Sequence, residues 1–135
     1  MFINEVAKRA QVPAHVVRYY TRIGLLKPSC RAENGYKVFM ERDVKRLKFI
    51  LKAKALGFTL SEIAKILDEA SCGKTPCPLV RTTLEQRIKE NRRKLEELMA
   101  LQQLMEKALG QWQKMPDGMP HGDTVCHLIE SVDIS

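Results

Sequence analysis

The chain has 135 residues, four of them cysteines, and a net charge of +7; that length holds one domain, or a small module with an appendage. No apolar run suits a membrane span or a signal peptide, so an intracellular, cytoplasmic protein without a disulfide framework is expected. The charge is uneven: residues 1–57 carry 13 Lys/Arg and 4 Asp/Glu, whereas residues 58–135 carry 10 and 12, which assigns a nucleic-acid face to the N-terminal half.

Ile3 to Ala10 reads as a short helix, with Asn4 as its N-cap and Val6, Ala7 and Ala10 on one face. Gln11–Val12 make a turn, and Pro13 starts a second helix that runs to about Ile23 and stops at Gly24. Two short helices joined this tightly form a helix-turn-helix, whose second helix enters the major groove. That helix carries His15, Arg18, Tyr19, Tyr20 and Arg22. Arginine can bond guanine edges or phosphates, and tyrosine hydroxyls can bond phosphates. By spacing alone, a helical hairpin with a solvated basic face is an equal reading.

Next comes Cys30–Arg31–Ala32–Glu33–Asn34–Gly35–Tyr36–Lys37–Val38–Phe39, with a hairpin signal at Asn34–Gly35. A hairpin placed here is a wing, with Arg31, Tyr36 and Lys37 available to phosphates. Glu41 to Leu56 is expected to be a third helix, with Val44, Leu47, Phe49, Ile50, Leu51 and Leu56 in its core and Gly57 at its end. Thr59 and Glu62 form a capping box for a fourth helix that buries Ile63, Ile66 and Leu67. A loop over 70–76 delivers the chain to Cys77.

From Pro78 to about Lys114 the spacing predicts one long helix. Leu84, Ile88, Asn91, Leu95, Leu98, Gln102, Met105, Leu109 and Trp112 recur in steps of four and three, the stripe of a coiled coil. At about 1.5 Å per residue the helix is about 50 Å long. No second helix of matching length exists in the chain, so the expected partner is the same helix of a second copy. Asn91 and Gln102 would fix its register.

The motifs V-R-Y-Y-T-R-I-G-L-L-K-P, R-A-E-N-G-Y-K-V-F, D-V-K-R-L-K-F-I and L-G-F-T-L-S-E-I together resemble the mercury-resistance-regulator (MerR) family, near-continuously over residues 1–114. The resemblance implies a mainly α fold: a winged helix-turn-helix DNA-binding domain with two following helices over 1–69, then a hinge over 70–77. A long antiparallel coiled-coil dimerisation helix over 78–114 follows, then a metal-binding loop with a short closing helix over 115–135. It also implies that Arg18, Tyr20, Arg31, Gly35, Tyr36 and Lys37 contact DNA or shape that contact; Tyr19 joins them on the recognition helix. Thr21, Lys37 and Met40 depart from the family pattern. Lysine at position 37 keeps the phosphate charge but loses the two-pronged geometry of arginine.

Cys77 resembles the helix-start cysteine of members that answer divalent ions, and the helix dipole favours a thiolate there. H-G-D-T-V-C, from His121 to Cys126, resembles the loop of zinc-responsive members. The family's first loop cysteine is absent, and Trp112 occupies its place. Cys77, His121 and Cys126 supply two thiolates and an imidazole for a divalent metal ion, zinc by preference, with cadmium, lead or mercury as alternatives. The fourth position is open to His127, Asp123, Asp117, Cys72 or water.

The expected function is a homodimeric, metal-responsive activator that binds double-stranded promoter DNA and, on metal binding, distorts it for RNA polymerase. In the family the site is shared, the loop of one chain meeting the helix-start cysteine of the other. A thiol redox or electrophile sensor on the same scaffold is the main alternative, and a purely structural zinc staple is another. The short tail leaves little room for a drug-binding domain or for the pocket of an enzyme.

Overall fold

The computed structural model describes residues 1–28, 30–31, 33 and 35–134, apart from the side chains of Cys30 and Arg31. The expected Asn34 turn position therefore lies outside the described residues, as do the side chains of Arg31 and Cys30. In chain order the elements are α1 (Ile3–Ala10), α2 (Ala14–Arg22), β1 (Cys30–Arg31), β2 (Lys37–Val38), α3 (Glu41–Ala55), α4 (Leu60–Ser71), α5 (Cys77–Trp112) and α6 (His127–Glu130). The chain divides into two compact units, Met1–Leu84 and Glu85–Ser135.

The first unit is a helical module around one core. Val6, Val17, Leu26, Phe39, Leu47, Ile50 and Ile63 are its largest fully buried side chains, drawn from α1 to α4 and from the segments after α2 and after β2. Burying each such side chain contributes about 1.5–3 kcal/mol. The turn between α1 and α2 bends at Gln11, whose φ of 58° is a left-handed conformation in a residue that is not glycine. β1 and β2 pair antiparallel, Cys30 opposite Val38 and Arg31 opposite Lys37. α4 starts with the expected box: the Thr59 hydroxyl accepts from the Glu62 N–H at 3.1 Å, and the Glu62 carboxylate accepts from the Thr59 N–H at 2.8 Å.

Several local expectations are corrected. Phe2, not Asn4, caps α1; its carbonyl accepts from the amides of Glu5 and Val6 at 3.1 and 3.2 Å. The cause is non-local: Met1 pairs with Phe39, each donating a backbone N–H to the other's carbonyl, at 2.8 and 2.7 Å. That pairing fixes the chain one residue ahead of the helix and leaves Asn4 inside the first turn. Pro13 caps α2 in extended backbone (ψ 150°) instead of opening it. On α3 the buried face runs through Asp43, Val44, Leu47, Ile50 and Ala53, so Phe49 and Leu56 are turned outward at 38% and 61% exposure. Phe58, just past Gly57, takes the core place that Leu56 was expected to fill. The helix boundaries also shift, with α4 reaching Ser71 and α5 beginning at Cys77 itself.

α5 runs for 36 residues, about 54 Å. Near its start Leu79, Val80 and Leu84 pack partly against the first unit's core. Beyond them Ile88, Leu95, Leu98, Met99, Leu101, Leu104, Met105 and Leu109 are all exposed, and no residue of α5 is buried. No helix among the described residues is long and apolar enough to cross a membrane.

Candidate nucleic-acid interface and metal-binding loop

α2 splits its side chains cleanly because residues three apart share a face. Val17 and Tyr20 point into the core, whereas His15, Arg18, Tyr19 and Arg22 are exposed. The Arg22 guanidinium lies 5.4 Å from the centre of the Tyr19 ring, and the Tyr19 and Tyr20 rings are 5.5 Å apart. This stack holds two outward groups in place without a salt bridge. Tyr20 is only 8% exposed, so its ring supports the recognition surface from beneath. Burial pushes its phenol above the usual tyrosine range, and the neighbouring Tyr19 adds to that.

A cleft of about 840 Å³ lies where α2, the start of α1 and the wing meet. Arg18 and Arg22 line it from α2, and Gly35, Tyr36 and Lys37 line it from the wing. Five residues far apart in sequence thus share one cationic cavity, four of which were candidates from sequence. Gly35 has a φ of 85°, a backbone conformation that favours glycine at the bend of the wing. Phe2 also lines the cleft, 54% exposed, with its ring edge-on to Tyr36 at 6.1 Å between centres. Sequence reasoning missed Phe2 and gave Arg22 no place among the site residues. The periodicity of α2 was enough to find Arg22. Nothing local marks Phe2, whose position depends on the Met1–Phe39 pairing.

The expected metal donors fall in three places. Cys72 is the exposed C-cap of α4. Cys77 is exposed as the first residue of α5, its N–H donating to the Thr75 hydroxyl at 3.4 Å. His121 and Cys126 belong to the segment after α5. There the Thr124 N–H donates to the His121 carbonyl at 2.9 Å around Gly122, whose φ is 57°. Cys126 is the N-cap of α6, and the Glu130 carboxylate accepts from the amides of Val125 and Cys126 at 3.3 and 3.1 Å. His127 Nε2 donates to the Pro116 carbonyl at 2.9 Å, bringing the two ends of the loop together. A hollow of about 290 Å³ is lined by Asp117, His121, Thr124 and His127 among others.

Among the described residues of one chain, no three His, Cys, Asp or Glu side chains are grouped to hold a metal ion. The donor chemistry is nevertheless that of a soft or borderline divalent ion: thiols and imidazoles on short, hydrogen-bonded backbone segments.

The chain matches the family described as "MerR HTH family regulatory protein" over residues 1–70, and that described as "MerR, DNA binding" over residues 44–108. It is 29% identical over 135 residues to the HTH-type transcriptional regulator ZntR of Escherichia coli (strain K12), covering 97% of this chain and 91% of that one. The mercuric resistance operon regulatory protein of Bacillus cereus is 33% identical over 103 residues, 76% of this chain and 78% of the relative. The crystal structure of the transcription regulator PbrR691 from Ralstonia metallidurans CH34 in complex with lead(II) matches with a TM-score of 0.77 and 27% identity. That match covers 97% of this chain and 98% of the other.

Proposed function

The chain belongs to the MerR family of helix-turn-helix regulatory proteins, and from that premise we propose that it is a homodimeric, metal-responsive activator acting on promoter DNA. As a member of that family it is a DNA-binding transcription regulator and not an enzyme. One observation carries the metal reading. The likeness to ZntR and to lead-bound PbrR691 extends over 97% of the chain, so it takes in the segment after α5 with His121 and Cys126.

Two copies pair through the exposed α5 stripe, running antiparallel. Pairing covers apolar area that the single chain leaves in water, at about 25 cal/mol per Å². It also sets the loop of one protomer beside the partner's Cys77, which completes the set of two thiolates and an imidazole. Cys77, His121 and Cys126 then hold the ion, with the fourth position open to Cys72, His127, an aspartate or water. Zinc fits best, since two thiolates and an imidazole are three quarters of a common tetrahedral zinc set. Arg18, Arg22, Tyr36 and Lys37 of each protomer grip DNA, and RNA polymerase reads the change in DNA shape. Ligand and DNA bias one two-state dimer from different places.

Cys77→Ser and Cys126→Ser test this together. Both should abolish metal-dependent reporter transcription and lower metal stoichiometry, while operator affinity without metal stays unchanged. Full induction of Cys126→Ser by zinc, cadmium, lead or mercury would remove the shared-site model. A response to oxidant that persists in chelator would favour thiol redox sensing instead.

A further inference from the structure

The segment from Met115 to Glu130 carries two of the proposed ligands, yet only four of its residues are helical. What shapes it is a set of side chain to backbone contacts, and His127 makes the longest-range one. Its Nε2 lies 2.9 Å from the carbonyl of Pro116, eleven residues back. A carbonyl only accepts, so this nitrogen carries the proton and Nδ1 is left as the unprotonated one in the neutral ring.

Gly118 provides the second, independent observation. A Cβ built at this glycine would lie 2.4 Å from His127 Cδ2 and 2.8 Å from Nε2. The loop backbone therefore lies directly against the imidazole, closer than any other residue type allows. The requirement is one of space and not of backbone angle, because Gly118 is absent from the positive-φ glycines. The ring is thus held by a hydrogen bond on its edge and by main chain beside it. Three residues further on, Glu130 fixes the amides of Val125 and Cys126. His121 and Cys126 both lie within the loop that the His127–Pro116 bond closes.

We infer that His127 is a positioning residue of the sensor loop: its bond to Pro116 and its seat against Gly118 close the loop that presents His121 and Cys126. This rests on the metal reading above and assigns His127 a part in shaping the site. A loop closed before the ion arrives loses less chain entropy on binding, which is what an outer-shell clasp contributes to a metal site.

Three variants of the full chain separate positioning from ligation. His127→Gln keeps an N–H donor where Nε2 stands but has no imidazole. His127→Ala has neither. Gly118→Ala keeps every candidate donor and displaces the ring from its bond to Pro116, a shift at the end of one side chain that leaves the chain folded. Cobalt(II) alone serves as the spectroscopic probe, with zinc competition for affinity. The expected result is one cobalt spectrum for all variants, with affinity lowered roughly 10–100-fold in His127→Ala and Gly118→Ala and restored in His127→Gln.

The metal-free protein gives a second readout. Amide exchange over residues 117–126 should quicken in His127→Ala and Gly118→Ala but not in His127→Gln. Unchanged exchange in His127→Ala overturns the clasp whatever the metal does. A changed ligand-field band and lost affinity in His127→Gln would make His127 a donor and also overturn it. Should the parent chain show no thiolate-to-cobalt band while the exchange pattern holds, the clasp stands and the metal reading falls.

Discussion

Arg18 and Lys37 line one cleft but differ in the number of bonds they can direct. A guanidinium on the exposed face of α2 can take a base edge bidentately, whereas an ammonium on the wing acts as a point charge toward phosphate. Arg18→Ala should therefore cost about 1–3 kcal/mol of operator binding and relax base preference, while Lys37→Ala weakens all sequences alike and flattens the salt slope. Titration of operator and scrambled duplex at two salt concentrations checks both, and unchanged affinity in the two variants would sink the assignment of this face. The exposed positions of α2 were legible because a helix converts spacing into direction. Phe2 was not, since its place follows from a backbone pairing across the width of the first unit. The same holds for Phe49 and Leu56: periodicity found a helix, but which of several apolar residues face inward is settled by α4 and Phe58.

At the scale of elements, local chemistry was the most readable. The Thr59–Glu62 box lies within four residues and needs no tertiary partner, so sequence located the start of α4 without error. α3 begins less conventionally: Asp43 accepts from the Met40 N–H at 2.7 Å, which makes up on one side for a capping residue whose thioether is a poor acceptor. α5 was legible as a helix by period, and none of its residues is buried. Gln102, on that stripe, bonds Glu106 one turn on at 3.0 Å, so its amide has an intrachain partner at hand. Leu95→Asp with Leu98→Asp should break the proposed pairing, because four carboxylates would face an apolar seam. Sedimentation should then find a monomer with weakened DNA binding. A variant that remains dimeric would place the contact between copies elsewhere on the molecule.

For the whole molecule the informative variant is His121→Ala. Zinc prefers four ligands of mixed nitrogen and sulfur, whereas mercury can be held by two thiolates. Induction by zinc should fall most and induction by mercury least, measured with one reporter across a metal series. Equal sensitivity to zinc would move the imidazole's role to another donor. The loop's donors could be read from sequence, but its closure could not: the contact of Gly118 with His127 joins residues nine apart through a segment with no period. One further consequence follows from α5, whose apolar stripe beyond Leu84 is exposed. If its stripe is covered only by a twin, folding of this half is a second-order event, and its melting temperature should climb with protein concentration. A solitary chain, newly made in a cell with few copies, would then be the form that proteases meet first. Abundance would come to depend on encounter rate, and a threshold in copy number would be set by the helix before any metal or promoter is involved.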